Sequence, residues 1–82
     1  MKHLTAFCKD FRINHLKITL QEVQDQYGIP FKALSAFENG RSTNVNHLNT
    51  YYLLCKTKED RKAFVNGFDK AMDLDKKENQ HD

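Results

Sequence analysis

The sequence predicts an all-α fold, a compact domain of five helices. Apolar residues recur at three- and four-residue intervals in separate stretches, the spacing that gathers them on one helix face. Between those stretches stand residues that start or stop helices: Thr19, Gly28, Pro30, Gly40 and Thr57. The length of 82 residues, with 39% hydrophobic and 29% charged content, makes this one small domain. A chain of that size buries only about 60% of its unfolded surface, so its core is thin and a partner subunit would help.

The first helix is expected from Leu4 to about His15. Leu4, Phe7, Cys8 and Phe11 repeat at helical spacing, with Lys9, Asp10 and Arg12 outside. After a Leu16-Lys17-Ile18 linker, Thr19 with Glu22 three residues on forms a capping box, in which hydroxyl and carboxylate each satisfy a free backbone N–H. Leu20, Val23 and Tyr27 make one apolar stripe on this second helix, and Gly28 ends it by taking positive φ without a Cβ clash. Pro30 restarts the chain as a third helix, since its fixed φ suits a first turn and its missing N–H is not needed there. Leu34 and Phe37 point inward, and Phe31, Lys32, Ser35, Ala36 and Asn39 share the other faces until Gly40. A helix, a tight Gly28-Ile29-Pro30 corner and a second helix read as a helix-turn-helix.

A polar loop follows, in which Thr43 or Asn44 can cap the fourth helix. There Val45, Leu48, Tyr52 and Cys55 fall on one face, and Tyr51 and Leu54 add apolar area on another. Thr57 with Asp60 marks the start of the last helix, whose stripe is Phe64, Phe68 and Met72 with Ala63 and Ala71. Tyr51, Leu54, Phe64, Phe68 and Met72 are therefore the candidate dimer or partner surface, unless Phe64 and Phe68 fold back onto Tyr51 and Leu54 within one chain. The domain is placed at residues 1–73, and residues 74–82 read as a polar, frayed tail.

A net charge of +2 and a pI near 8.6 permit nucleic-acid binding without requiring it. No apolar run approaches the roughly 20 residues of a bilayer span, and the Met1-Lys2 start lacks the apolar core of a signal peptide. A cytoplasmic location with no membrane partner is expected. There Cys8 and Cys55, both on apolar stripes, serve as small buried hydrophobes rather than as a disulfide. His3, His15, His47 and His81 are scattered without metal-ligand spacing, so neither metal nor cofactor is expected. The chain has no glycine-rich phosphate loop, nucleophile elbow or paired Glu and His, which argues against an enzyme and leaves no catalytic candidate.

Thr19, Val23, Gly28, Ile29, Leu34, Ser35, Glu38, Gly40 and Arg41 fall in the register of a recurrent pattern. The run resembles the Cro/repressor-type (Xre-like) helix-turn-helix family of phage and bacterial DNA-binding regulators, over roughly residues 5 to 56. That resemblance implies a lambda-repressor-like helix-turn-helix at helices 2 and 3, and a small, sequence-specific, dimeric regulator of phage, plasmid or bacterial transcription, such as a repressor. The second motif helix would lie in the major groove of double-stranded DNA. Carried over by position, the base-contacting residues are Phe31, Lys32, Ser35 and Ala36. Lys32 can donate to guanine O6 and N7, Ser35 can meet various bases, and Phe31 or Ala36 can pack on a thymine methyl. The phosphate-contacting residues are Lys17, Asn39, Arg41, Ser42, Thr43 and Asn44, and Glu38 ties the motif to the neighbouring helix.

The chain also departs from the pattern. Leu20 stands where the family has glutamine, which removes a phosphate contact, and Gln24 puts a longer polar group where the family has a small alanine. The linker before Thr19 is about one residue longer than the family spacing. Between Thr19 and Arg41 the bases are Lys32 and Arg41 and the acids Glu22, Asp25 and Glu38, a negative balance. A second class fits the same residues: a helix-turn-helix scaffold that binds another regulatory protein, as an antirepressor, inhibitor or accessory factor, with Phe31 as an exposed anchor.

Overall fold

Five α-helices build the chain, which a computed structural model describes over residues 2–79, with no strand among the described residues. Helix α1 (Lys2–Asp10) runs on into a wider π-helical stretch, Phe11–Leu16. That stretch closes at Lys17, whose φ of 55° is left-handed and whose N–H reaches back to the Arg12 carbonyl. Helix α2 (Leu20–Tyr27) begins on the expected capping box: Thr19 Oγ1 accepts the Glu22 N–H at 3.0 Å, and Glu22 Oε1 accepts the Thr19 N–H at 3.2 Å. Gly28 ends it at φ 70°. Helix α3 (Phe31–Glu38) follows directly after Pro30. Proline has no side-chain acceptor, so Gln24 supplies one from α2, taking the Phe31 N–H on Oε1 at 2.7 Å. Gln24 is exposed and fastens the two helices rather than crowding them.

Helix α4 (His47–Leu54) and helix α5 (Lys58–Asn79) complete the order. Thr57 Oγ1 accepts the Asp60 N–H at 3.0 Å, as its spacing predicts. The loop before α4 differs from expectation. Asn44 Oδ1 accepts the Asn46 N–H within a local turn, and no side chain caps α4. The buried face of α4 differs too. Tyr51, Leu54 and Cys55 are buried, whereas Val45 and Tyr52 are 54% and 46% exposed. Tyr51 goes inward because its hydroxyl finds a buried acceptor, described below. Tyr27, placed on the inner stripe of α2, is likewise exposed.

The core collects Leu4, Cys8 and Phe11, Val23 from α2, Leu34 and Phe37 from α3, Tyr51, Leu54 and Cys55, and Phe64 and Ala71 from α5. Phe64 is its aromatic centre, with ring centroids 5.5 Å from Phe7, 5.3 Å from Phe11 and 6.3 Å from Tyr51. Phe68 and Met72 are half-buried against the same core. The stripe on α5 is thus consumed inside the chain, largely against α1. Tyr51, Leu54 and Phe64 are buried, and Phe64 folds back onto Tyr51 within the chain, the second of the two arrangements that the stripe allows. Helices α1 and α5 meet closely enough that a Cβ on Gly67 would run into the Phe7 ring.

Helix α5 also continues past the expected boundary, through 74–79; residues 80–82 of the expected tail lie outside the described residues. Asp75, buried, accepts the His3 N–H on Oδ1 at 2.8 Å and the Leu4 N–H on Oδ2 at 3.1 Å. A side chain 72 and 71 residues away thereby satisfies two donors that the first turn of α1 leaves free. His3 Nε2 lies 2.7 Å from Glu78 Oε1, a contact that holds the Glu78 carboxyl below its usual range.

Candidate nucleic-acid interface

The inner side of α3 is fixed by packing and by one polar cluster. Leu34 and Phe37 are fully buried, and Glu38 beside them is 5% exposed. Arg12, expected on the outside of its helix, is 6% exposed and clasps that carboxylate. Its Nε donates to Oε2 at 2.8 Å and its Nη2 to Oε1 at 2.9 Å, while Nη1 donates to the Ile18 carbonyl at 2.8 Å. The Tyr51 hydroxyl donates to Oε2 at 2.7 Å. Charges taken out of water need such complete pairing. The hydrogen bond to Glu38 raises the Arg12 pKa, and burial, reinforced by Glu38, raises that of Tyr51. Burial, with Glu38 nearby, pushes the Cys8 thiol up to about 12. Glu38 is therefore a structural acid that ties α3 to the first helical segment and to α4.

The outer side of α3 presents Phe31, 41% exposed, and Lys32, with Ser35 and Ala36 half-buried. Gly40 ends the helix at φ 77°. Its N–H goes to the Phe37 carbonyl at 3.1 Å, and the Arg41 N–H goes to the Ala36 carbonyl at 2.8 Å. This pair of bonds is a Schellman turn. It swings Arg41 back over α3, so that Phe31, Lys32, Ser35, Ala36 and Arg41 line one shallow concavity of about 290 Å³.

The charge of this face is not the one the sequence count suggests. Glu38 is neutralised inside the protein by Arg12. Glu22 serves the capping box, and Asp25 accepts from Gln21 Nε2 at 3.0 Å. Lys32 and Arg41 line the concavity, and no acid does.

The other predicted phosphate ligands are not gathered with them. Asn39, Ser42 and Thr43 line a separate cleft of about 780 Å³ against α1, where Lys2 and Lys9 join them. No pattern along the chain announces those two lysines, because only the tertiary approach of the loop to α1 brings them there. Asn39 Nδ2 lies 3.4 Å from Ser35 Oγ as its donor, and Ser42 Oγ accepts the Asn44 N–H at 3.3 Å. Lys17 sits in a third cleft with Glu22, Tyr27 and Asp60, apart from the α3 face. Leu20 is half-buried on the core.

Where the start of α1 meets the end of α5, the ligand atoms of His3, Asp75 and Glu78 lie within 4.8 Å of one another. Here Asp75 caps the first turn of α1, and His3 Nε2 is in hydrogen-bond contact with Glu78 Oε1. Among the described residues, no helix is long and apolar enough to cross a membrane. Comparison with family models, with curated proteins and with solved structures finds no match to this chain.

Proposed function

We propose that this chain is a small sequence-specific DNA-binding regulator that lays the outer face of α3 in the major groove of duplex DNA. What supports this is the single concavity of Phe31, Lys32, Ser35, Ala36 and Arg41, which carries two cations and no acid. A helix with its side chains is about 10–12 Å across, which the major groove, about 12 Å wide, admits. Lys32 is the donor for guanine O6 and N7, Ser35 adapts to several base edges, and Phe31 and Ala36 offer apolar contact to a thymine methyl. Arg41, held beside Ala36 by the turn, is the phosphate anchor. The Arg12–Glu38–Tyr51 cluster sets the orientation of α3 from behind, without using any atom of that face. Pairing of two copies would have to use residues other than Tyr51, Leu54 and Phe64, which are inside the core.

Selection from a random pool of duplex DNA, at low and near-physiological salt, tests the proposal. One enriched motif is the expected result, and two half-sites about a helical turn apart would report a paired reader. Lys32→Ala should cost about 1–3 kcal/mol, mainly at one base position, while Arg41→Ala should weaken all sequences alike and reduce the salt slope by about 1. A pool that returns no motif overturns it and turns the search to a protein partner anchored on Phe31.

A further inference from the structure

A groove between the end of α4 and the first half of α5 is lined by Tyr52, Lys58, Arg61, Lys62, Val65 and Asn66 and encloses about 580 Å³. It shares no residue with the concavity on α3. Lys58, Arg61, Lys62 and Val65 are spaced to fall on one face of α5. Tyr52 and Val65 are 46% and 45% exposed, so the groove holds apolar area that the chain does not cover. The charged residues that line it, Lys58, Arg61 and Lys62, are all cations. None of the three cations is ion-paired among the described residues, Asp60 is turned away to His15, 2.8 Å off, and the exposed Glu59 and Asp69, beside Lys62 and one turn beyond Val65, are outside the lining.

The geometry points to a docking site for an acidic amphipathic segment of a second protein. Its apolar side chains lie between Tyr52 and Val65, and its carboxylates meet Lys58, Arg61 and Lys62. Such pairing satisfies both halves of the groove, since opposite potentials steer and register the partner while the apolar floor supplies contact. A second copy of this chain fits poorly, because a two-fold contact presents the same surface from both sides and sets the three cations against themselves. A nucleic-acid backbone would match the cations and leave Val65 without a contact. The site stands whether or not α3 reads DNA.

The test titrates the isotopically labelled full chain with a synthetic helical peptide carrying Glu and Leu on opposite faces. Its Gln/Leu counterpart and a duplex oligonucleotide are titrated in parallel. The Glu/Leu peptide should shift the amide signals of Tyr52, Lys62 and Val65 and leave those of Phe31 and Lys32 in place. Lys62→Glu and Val65→Asp should each weaken it about tenfold, equivalent to about 1.4 kcal/mol. Both positions are exposed, so an unchanged unfolding midpoint will show that the fold is intact. Failure of the peptide to bind overturns the proposal, as does equal binding of the Gln/Leu peptide. So does a shift of the same residues by the oligonucleotide, which would make this a phosphate surface. Self-association that Val65→Asp abolishes would make it a contact between copies.

Discussion

Arg12 and Glu38, 26 residues apart, form a two-pronged ion pair at 2.8 and 2.9 Å with both side chains almost fully buried. Removing one member strands the other charge in a dry interior, at about 3–5 kcal/mol. Glu38→Gln should therefore destabilise strongly in urea unfolding. Replacing both, as Arg12→Met with Glu38→Leu, should cost clearly less than the two single changes together. An additive double-mutant cycle would show the pair to be uncoupled.

Gly67 sits where α5 crosses the Phe7 ring. Alanine in a helix interior is normally favoured over glycine by about 0.5–1 kcal/mol. Here overpacking, at about 1–3 kcal/mol, should win, so Gly67→Ala lowers the melting temperature. In a Phe7→Ala background the clash is gone, and the same substitution should become stabilising.

Asp75→Ala removes the acceptor of the His3 and Leu4 N–H groups. The loss should resemble that of a helix cap, about 0.5–2 kcal/mol. Amide exchange at His3 and Leu4 should quicken more than at Val23 or Leu34.

Cys8 gives a pH dependence. Its folded thiol is held up to about 12, whereas an unfolded thiol titrates near about 8.5. Between those values the unfolded chain has lost the proton that the folded chain keeps, so stability falls as pH rises. The slope approaches about 1.4 kcal/mol per pH unit. Below the unfolded value this effect is absent. Unfolding free energies from about pH 8 to 10 should show the decline, and Cys8→Ala should reduce it, leaving the part due to Cys55, whose pKa burial also raises.

What the chain encodes locally is legible in it. The capping box at Thr19, the stop at Gly28, the inward Leu34 and Phe37 and the start at Thr57 rest on neighbours within four residues, and all form as expected. What depends on distant partners is not legible. The helical phase puts Arg12 outside, and only Glu38 and the Ile18 carbonyl, reached from the π-helical stretch, make its burial favourable. Phase alone cannot choose between Tyr51 and Tyr52, whereas a buried carboxylate can. The polar run after Met72 looks like a loose end because Asp75 acts on α1, 71 residues back. On α3, local spacing places Phe31, Lys32, Ser35 and Ala36 on the outer face. Arg41 joins them through a turn whose Gly40 was legible. The acidic balance was misleading because Glu38 counts in the sequence and vanishes from the surface.

The clasp of Asp75 on His3 and Leu4 joins the first turn of the chain to a residue synthesised late. A ribosome delivers α1, α2, α3 and α4 before it delivers position 75, so the nascent domain can join Arg12 to Glu38 while the first turn of α1 still lacks its acceptor. The α3 face can be in place before the first turn of α1 is fastened to α5. Closure between His3 and Asp75 spans 72 residues against 26 for Arg12 and Glu38, so it carries the larger loop-closure entropy.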